Sequence, residues 1–297
     1  MEAQAITDIH MSVGSAGPTI VFPGQEPARD EHKPMLQELA KLIETTPLTK
    51  KLALADGSRW RVQRMREGRF ALRRLRDNCP ELDQLGLPQW VKSLLLQTKM
   101  RDQGGLVVVC GLTGAGKTTT WSATIAARLR HHGGYCLTIE DPPEDLLEGS
   151  HGSGYCEQID ADGVGGYRAA IHAALRCFPA KDQSMLGYGE VRDAATAAEL
   201  LRVAVDGHLV LVTMHSKSIP AGLQRLAALA RAAGEDEANE LLATSFQLAV
   251  HQRFDQGGPL VATALPRDNK VSAHIKNGDF GALKEEVERH VLKNFNN

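Results

Sequence analysis

Leu106-Val-Val-Val-Cys-Gly-Leu-Thr-Gly-Ala-Gly-Lys-Thr118 is the most informative segment of this 297-residue chain. Its second half, Gly111–Thr118, matches the phosphate-binding pattern G-x-x-x-x-G-K-[ST] at every fixed position. The apolar run Leu106–Cys110 predicts a strand that is buried on both faces, and Lys117–His131 predicts a helix. A strand, a glycine-rich loop and a helix in this order are the structural context that the pattern requires.

The residue types in this loop suit a polyphosphate. Glycines let the backbone curl so that successive N–H groups face phosphate oxygens, and the helix N-terminus adds partial positive charge. Lys117 can reach the β- and γ-phosphates, and the Thr118 hydroxyl can hold Mg²⁺. A chance match in a glycine-rich turn is the alternative, which the flanking strand and helix disfavour. The candidate nucleotide-binding residues here are Gly111, Thr113, Gly114, Ala115, Gly116, Lys117, Thr118 and Thr119.

Strand-like and helix-like segments alternate after about Gly104. Further strands are predicted at Tyr135–Ile139, Ser184–Gly187 and Leu209–Thr213, the second of them weak because Gly187 lies in it. Further helices are predicted at Tyr167–Arg176, Ala194–Val205, Pro220–Ala233 and Glu235–His251. This alternation predicts an α/β fold with a doubly wound, mostly parallel sheet.

The chain before Gly104 is more mixed and arginine-rich. It predicts a helix at Pro34–Ile43, a hairpin at Leu52–Arg64 around Asp56-Gly57, a short strand at Leu72–Leu75 and a helix from Pro88 to about Met100. We therefore expect a small domain over residues 1–98, a linker over 99–104 and a larger domain over 105–297.

Composition excludes several protein classes. Hydrophobic residues make up 42% and charged residues 24%, as in ordinary globular proteins, and the net charge of −2 gives no general attraction to nucleic acid or membranes. The longest apolar runs are far shorter than the roughly 20 residues of a membrane span. Five scattered cysteines without a C-x-x-C pair argue against a disulfide framework or a four-cysteine zinc site, and the expected compartment is the cytoplasm.

Polar residues follow each of the other predicted strands, where a parallel sheet meets its ligands. Glu140 lies in the acidic segment Thr138–Glu144, which is either part of the site or a solvated loop. Glu190 follows the third strand, where P-loop ATPases hold Mg²⁺ and activate water, and it is the second candidate metal ligand beside Thr118. His215 follows the fourth strand and His208 precedes it; either could sense a γ-phosphate or be structural.

Eight arginines and a single acid occupy Arg59–Arg76. They could form a solvated basic face, a nucleic-acid surface, or a group that contacts the nucleotide of a neighbouring subunit. Sparse aromatic residues disfavour nucleic acid, and from the residues alone the solvated face ranks first.

Four ordered motifs resemble the secretion ATPases of type IV pilus, type II and type IV systems, especially PilT-like pilus motors. The motifs are Gly111–Thr118, Thr138–Glu144, Gly189–Asp193 and Gly207–His215. Weaker similarities to the same family are Ile6–Ser12, Arg59–Gln63 and Gln252-Arg253.

The resemblance implies a PAS-like domain before a RecA-like ATPase domain, and a homohexamer that binds ATP with Mg²⁺ between subunits. It makes Glu190 the first and Glu140 the second candidate for water activation, and His215, with His208, a nucleotide sensor. It also favours Arg61 and Arg73 as contacts to a neighbour's phosphates. Rocking of the two domains about Lys99–Gly104 is the motion expected of such a motor.

The same resemblance implies an ATP-hydrolysing motor that works at the inner membrane through a platform or secretion-channel protein. The sequence lacks the A-I-R-N-L-I-R-E segment of retraction motors, so a type IV pilus and a conjugation-type or IVB-like secretion system are equally compatible. A weakly hydrolysing regulatory ring and a DNA-handling motor are two alternatives. The net charge and the few aromatic residues argue against direct nucleic-acid binding and so disfavour the DNA-handling motor.

Overall fold

The computed structural model describes residues 6–14, 17–46, 50–180, 183–255 and 258–295. Contacts divide the chain into two units. The first comprises Met1–Asn78 with Glu144–Leu146, and the second comprises Cys79–Pro143 with Leu147–Asn297.

The first unit is an antiparallel sheet with one long helix. In chain order its elements are β1 (Asp8–Ser12), β2 (Ile20–Phe22), β3 (Glu26–Pro27), α1 (Lys33–Thr45), β4 (Lys51–Ala53), β5 (Arg59–Arg66) and β6 (Arg69–Arg74). The strands lie in the order β3-β2-β1-β6-β5-β4. Ile9, Leu39, Trp60 and Leu72 form the centre of its core. The predicted helix, hairpin and short strand are therefore confirmed as α1, β4–β5 and β6.

The second unit is a layered α/β structure. Its first elements are α2 (Gln89–Leu95), α3 (Lys99–Gln103), β7 (Gly105–Gly111), α4 (Lys117–His132), β8 (Gly134–Glu140), β9 (Gly149–His151), β10 (Gly154–Asp160), α5 (Tyr167–Cys177) and β11 (Ser184–Tyr188). They are followed by α6 (Ala194–Val205), β12 (Leu209–His215), α7 (Ile219–Ala232), α8 (Ala238–Ser245), β13 (Phe246–Phe254), β14 (Leu260–Pro266), α9 (Asn269–Lys276) and α10 (Leu283–Phe295).

Eight strands form one sheet in the order β14-β13-β7-β12-β11-β8-β10-β9. The six inner strands are parallel, and β14 and β9 pair antiparallel at the two edges. Every residue of β7 is buried. Leu106, Val108 and Cys110 belong to one core cluster and Val107 to another, so helices cover both faces of the sheet. The predicted α/β fold class, with a small α+β domain before it, is confirmed.

The helix predicted over Glu235–His251 is wrong in its second half. The chain forms α8 and then enters β13, which pairs with β7 on one side and β14 on the other. Phe246 to Val250 is apolar except for Gln247, and so short an apolar segment fits a buried helix or a buried strand equally well. Pairing with β7 buries it as a strand.

Residues 79–104 pack with the second unit. The sequence analysis assigns them to the first domain and a linker, but Val91, Leu95 and Met100 are buried in a core cluster of the second unit. The single helix predicted to end near Met100 is two helices, α2 and α3. Contact grouping therefore separates the units at Asn78 instead of at 99–104.

Gly187 fits the middle of the sheet because its neighbours fill the space of its side chain. A β-carbon there would lie 2.8 Å from atoms of both Trp121 and Ile125. Trp121 is held in place by donating from Nε1 to the Leu211 carbonyl at 2.9 Å. β11 is thus a well-packed central strand. Among the described residues, no helix has the length and apolar character needed to cross a membrane.

Candidate functional site

The glycine-rich loop connects the carboxyl end of β7 to α4. Gly114 and Gly116 both have φ of +77°, a conformation that glycine adopts without strain, and Gly116 is the N-cap of α4. A β-carbon on Gly114 would meet no atom within 4 Å, so this side of the loop is open. This shape and the α4 N-terminus fit a polyphosphate.

Lys117 and Thr118 are the first two residues of α4 and are partly exposed, as is Thr119. Lys117 Nζ donates to the Leu112 carbonyl of the loop at 3.0 Å, so the ammonium group lies over the loop. Cys110 immediately precedes the loop, and burial raises the pKa of its thiol to about 12, which keeps the thiol protonated. The donor set of backbone amides, an ammonium group and the Thr118 hydroxyl suits a phosphate chain with a magnesium ion.

Gln252 supports the loop from β13. Its side chain is fully buried, and Nε2 donates to the Ala115 carbonyl at 2.6 Å. Its Oε1 accepts no hydrogen bond from the part of the chain that the structure describes. A β-carbon on Gly111 would lie 2.7 Å from the Gln252 carbonyl, so strand and loop are in close contact. The sequence analysis noted Gln252 only as part of a weak similarity, because nothing in one sequence pairs it with Ala115.

His215 lies beside the loop. It is opposite Gly111 in the β7–β12 register, and its Nδ1 is 3.3 Å from the Thr113 hydroxyl. The Arg225 guanidinium donates to the His215 carbonyl at 3.1 Å. Two of the predicted site residues, Thr113 and His215, are therefore in hydrogen-bond contact.

Glu140 is a buried carboxylate at the end of β8, with 4% of its surface exposed. Its Oε1 accepts hydrogen bonds from Thr138 Oγ1 at 3.2 Å and from Gln158 Nε2 at 3.1 Å. Gln158 lies on β10, a strand that the sequence analysis did not predict. These bonds fix the carboxylate in one orientation.

Glu190 follows β11 and pairs with Arg192. The Arg192 Nε and Nη2 atoms donate to one carboxylate oxygen at 2.9 and 2.6 Å. These hydrogen bonds raise the pKa of Arg192 above its ordinary value. Burial and the nearby Asp141 carboxylate raise the pKa of Tyr167 at the start of α5.

Backbone hydrogen bonds bring these strand ends together. Gly189 N donates to the Ile139 carbonyl at 3.0 Å, and Val191 N donates to the Thr213 carbonyl at 3.1 Å. Ser216 N donates to the Gly111 carbonyl at 3.3 Å. We call this region, formed by the ends of β7, β8, β11 and β12, the carboxyl end of the sheet. The phosphate loop, Glu140, Glu190 and His215 all lie there.

His208 lies elsewhere. It precedes β12, whereas His215 ends it, and seven extended residues span about 23 Å. We call the region around the starts of β7, β8, β11 and β12 the amino end of the sheet. His208 there stacks on Phe178 with ring centroids 5.1 Å apart and bonds to the Ser184 hydroxyl. Burial lowers the pKa of His208. The structure therefore does not bring this predicted sensor to the phosphate loop of its own chain.

Arg61 and Arg73 lie in the first unit, opposite each other on β5 and β6. Arg61 Nη1 is 3.9 Å from Glu144 Oε1, and Arg73 Nε donates to Asp8 Oδ1 at 2.7 Å. Several other arginines of this segment are also held by hydrogen bonds within the unit, namely Arg59, Arg69, Arg74 and Arg76. The guanidinium of Arg73 is nevertheless largely exposed, with 68% of its side chain accessible.

A further acidic group lies far along the chain. Ligand atoms of Asp268, Glu286 and His290 are within 4.8 Å of one another. The Arg289 guanidinium donates to both Asp268 and Glu286 at 2.6 Å. The Arg289 guanidinium therefore already bridges the two carboxylates, and we assign no metal to them.

Comparisons with known proteins find relatives in sequence and in structure. Residues 61–277 match the family described as Type II/IV secretion system protein. The Uncharacterized protein YggR of Escherichia coli is 32% identical over 219 residues, which cover 73% of this chain and 64% of YggR. The type IV pilus ATPase PilU of Pseudomonas aeruginosa is 32% identical over 157 residues, covering 53% of this chain and 38% of PilU.

Two solved structures share the fold. The pilus retraction motor PilT with bound ADP superposes with a TM-score of 0.72 at 24% identity, covering 98% of this chain and 89% of PilT. The ATPase DotB of Legionella pneumophila superposes with a TM-score of 0.69 at 19% identity, covering 95% of this chain and 84% of DotB. The chain spans less than two thirds of the length of the curated relatives YggR and PilU.

Proposed function

Because the chain belongs to the Type II/IV secretion system protein family, we propose that it is an ATP-hydrolysing motor subunit. It would energise a type IV pilus or a type IV secretion system of the conjugation or IVB-like kind. The supporting observation is the convergence of the phosphate loop, two carboxylates and His215 at the carboxyl end of the sheet. The PilT neighbour holds ADP, which is consistent with this proposal.

In this proposal the loop binds the triphosphate of ATP. Backbone amides of Gly114, Gly116 and Lys117 face the phosphate oxygens, and the Lys117 ammonium group exchanges the Leu112 carbonyl for the β- and γ-phosphates. Thr118 and Glu190 hold Mg²⁺, which neutralises negative charge on the phosphates when bound. Gln252 keeps the Ala115 carbonyl turned away from the phosphates and so presents the amides to them.

Glu190 is the proposed residue that orients and activates the attacking water. Its carboxylate is engaged by Arg192 in the structure described here, so it must exchange part of that contact for the water. Glu140 is the second candidate, although its two hydrogen bonds suit an orienting role better than proton transfer. His215 would detect the γ-phosphate through Thr113, because the hydroxyl and the ring are already in contact.

The assembly is part of the same proposal. We infer a homohexamer in which Arg61 and Arg73 of one subunit approach the nucleotide of the next, as trans-acting arginines do in other phosphoryl-transfer sites. Both side chains would leave their acidic partners to do so. The ring would act in the cytoplasm, at the inner membrane, through a platform or secretion-channel protein.

A nucleotide-binding regulatory ring with weak hydrolysis is the second candidate. The bond between Glu190 and Arg192 favours it, because a carboxylate oxygen that accepts from a guanidinium is less accessible to a water molecule. The close packing of β11 favours the motor. Glu190 follows this strand after one residue, Gly189, so the strand positions its carboxylate.

Steady-state phosphate release tests the proposal. We expect Lys117→Ala and Glu190→Gln each to lower turnover at least a hundredfold, because one removes phosphate binding and the other the base. Circular dichroism should show both variants folded. The exposed pair Lys276 and Glu240 supplies matched controls, and Lys276→Ala and Glu240→Gln should turn over like the unmodified chain. Retained turnover in Lys117→Ala or Glu190→Gln would refute the motor mechanism. ATP binding without measurable turnover in the unmodified chain would support the regulatory ring.

A further inference from the structure

Phe254 is an exposed aromatic residue at the carboxyl end of the sheet. It is the last residue of β13 and leaves 51% of its surface accessible, whereas the preceding residues Phe246 to Val250 are buried. An apolar ring of this size in contact with solvent is unfavourable unless something covers it.

The ring lies against the start of α4. A β-carbon placed on Gly116 would be 3.5 Å from two ring carbons of Phe254 and 3.3 Å from Gln252 Nε2. Gln252 and Phe254 are two residues apart on one strand, so both side chains lie on the same face of β13. The aromatic ring therefore lies beside the backbone of the phosphate loop at Gly116.

The strand that carries the ring is held against the phosphate loop. Gln252 is buried and bonded to the Ala115 carbonyl, so the strand that carries Phe254 is tied to the loop two residues away. Arg253, between them, lies on the opposite face and pairs with Asp255 at 2.9 Å. The strand end that carries the ring is therefore positioned beside the phosphate loop before any ligand binds, which reduces the entropy lost on binding.

We propose that Phe254 stacks on the base of the bound nucleotide, an inference that rests on the proposed function. The ribose links the base of a nucleotide to its phosphates, so a nucleotide whose phosphates lie in the loop carries its base outside the loop. A half-exposed ring beside the loop offers a flat apolar surface to a purine. Stacking on a phenyl ring tolerates any base, so Phe254 would strengthen nucleotide binding without selecting adenine by hydrogen bonds.

Comparing the affinities for two ligands, one with a base and one without, separates the contribution of the base to binding from that of the phosphates. Calorimetric titrations with Mg·ATP and with magnesium tripolyphosphate, which has no base, should be run on the full chain. We expect Phe254→Ala to weaken Mg·ATP binding about tenfold and to leave tripolyphosphate binding unchanged within twofold. Phe254→Trp should restore Mg·ATP binding, and its indole fluorescence should be quenched by ATP but not by tripolyphosphate. Leu292→Ala removes another exposed apolar side chain, 64% accessible on α10, and should change neither affinity.

Three results would overturn the inference. Equal weakening of both ligands by Phe254→Ala would mean that the ring only supports the loop. Unchanged affinity for both, with a loss of oligomers in sedimentation, would mean that a second copy of the chain covers the ring instead. Absence of binding of either ligand to the unmodified chain would refute the proposed function and this inference together, whereas the first two results leave the proposed function intact.

Discussion

The two ends of the parallel sheet use the same strands for different purposes. At the carboxyl end lie the phosphate loop, Glu140, Glu190 and His215, and the side chains of Lys117 and Glu190 are partly exposed. At the amino end, polar groups satisfy one another within the chain. The strand β12 shows the contrast most directly, because His215 contacts the phosphate loop and His208 stacks on Phe178.

The contrast between His215 and His208 shows that residue type alone does not identify a functional side chain in this fold. Both histidines lie in the same motif, and only the direction of the strand separates them. Ligands of parallel sheets bind where strands end, since loops there connect to helix N-termini. Changes at the carboxyl end should therefore alter catalysis more than stability, and changes at the amino end should do the reverse.

Arg128 should show the largest effect at the amino end. Its side chain is buried on α4, lines the same small cavity as Ser184 and Leu209, and donates from Nη1 to the carbonyls of Leu95 at 2.7 Å and Gln97 at 3.3 Å. Burial lowers the pKa of Arg128 to about 10, so the guanidinium remains charged at neutral pH. Arg128→Ala leaves buried carbonyls unpaired and should lower the free energy of unfolding by about 2–3 kcal/mol.

Urea denaturation measures this loss, and Arg130→Ala is the matched control two residues along the same helix. Arg130 pairs with Glu81 and has 33% of its side chain accessible, so its loss should cost about 0.5 kcal/mol. ATP binding by folded Arg128→Ala protein should be retained. Equal destabilisation by the two variants, or loss of ATP binding in Arg128→Ala without unfolding, would break the distinction between the two ends.

The two histidines of the G-H…T-x-H segment give a smaller and more direct comparison. His215→Gln should reduce turnover about tenfold, because it weakens a contact to the loop that carries the phosphates. Its unfolding free energy should remain close to that of the unmodified chain. His208→Gln should leave turnover within twofold and lower the free energy of unfolding by about 1 kcal/mol, through loss of the stack on Phe178.

Phosphate release and urea denaturation on the same preparations check this pair. We expect His215→Gln to lower turnover without lowering the free energy of unfolding, and His208→Gln to do the reverse. A tenfold loss of turnover in His208→Gln would mean that the amino end takes part in the cycle, for example across a subunit interface.

Much of the fold and part of the site follow from local sequence. The phosphate loop was predictable because its glycines, Lys117 and Thr118 are contiguous, and the strands before it and after Gly133 are short apolar runs. The strand Phe246–Phe254 was not, since its short apolar part directly follows a helix and shows no clear periodicity that separates strand from helix. β10 escaped prediction because polar residues such as Glu157 and Gln158 interrupt it.

The missed site contacts share one cause. Gln158 reaches Glu140 from a neighbouring strand, and Gln252 reaches Ala115 across 137 residues of sequence. Pairings at such separations are set by sheet order, which a single sequence does not encode locally. The proposed roles of three site residues remain predictions, because each side chain contacts another residue in the described structure. Glu190 pairs with Arg192, Arg61 with Glu144, and Arg73 with Asp8.

Calorimetric titration of the unmodified chain and of Lys117→Ala with Mg·ATP tests the central claim most directly, namely that the carboxyl end of the sheet binds a nucleotide through the phosphate loop. We expect saturable, one-site binding in the unmodified chain, and an affinity at least a hundredfold weaker in a folded Lys117→Ala variant. Absence of binding in the unmodified chain, or equal affinity in both proteins, would contradict the account.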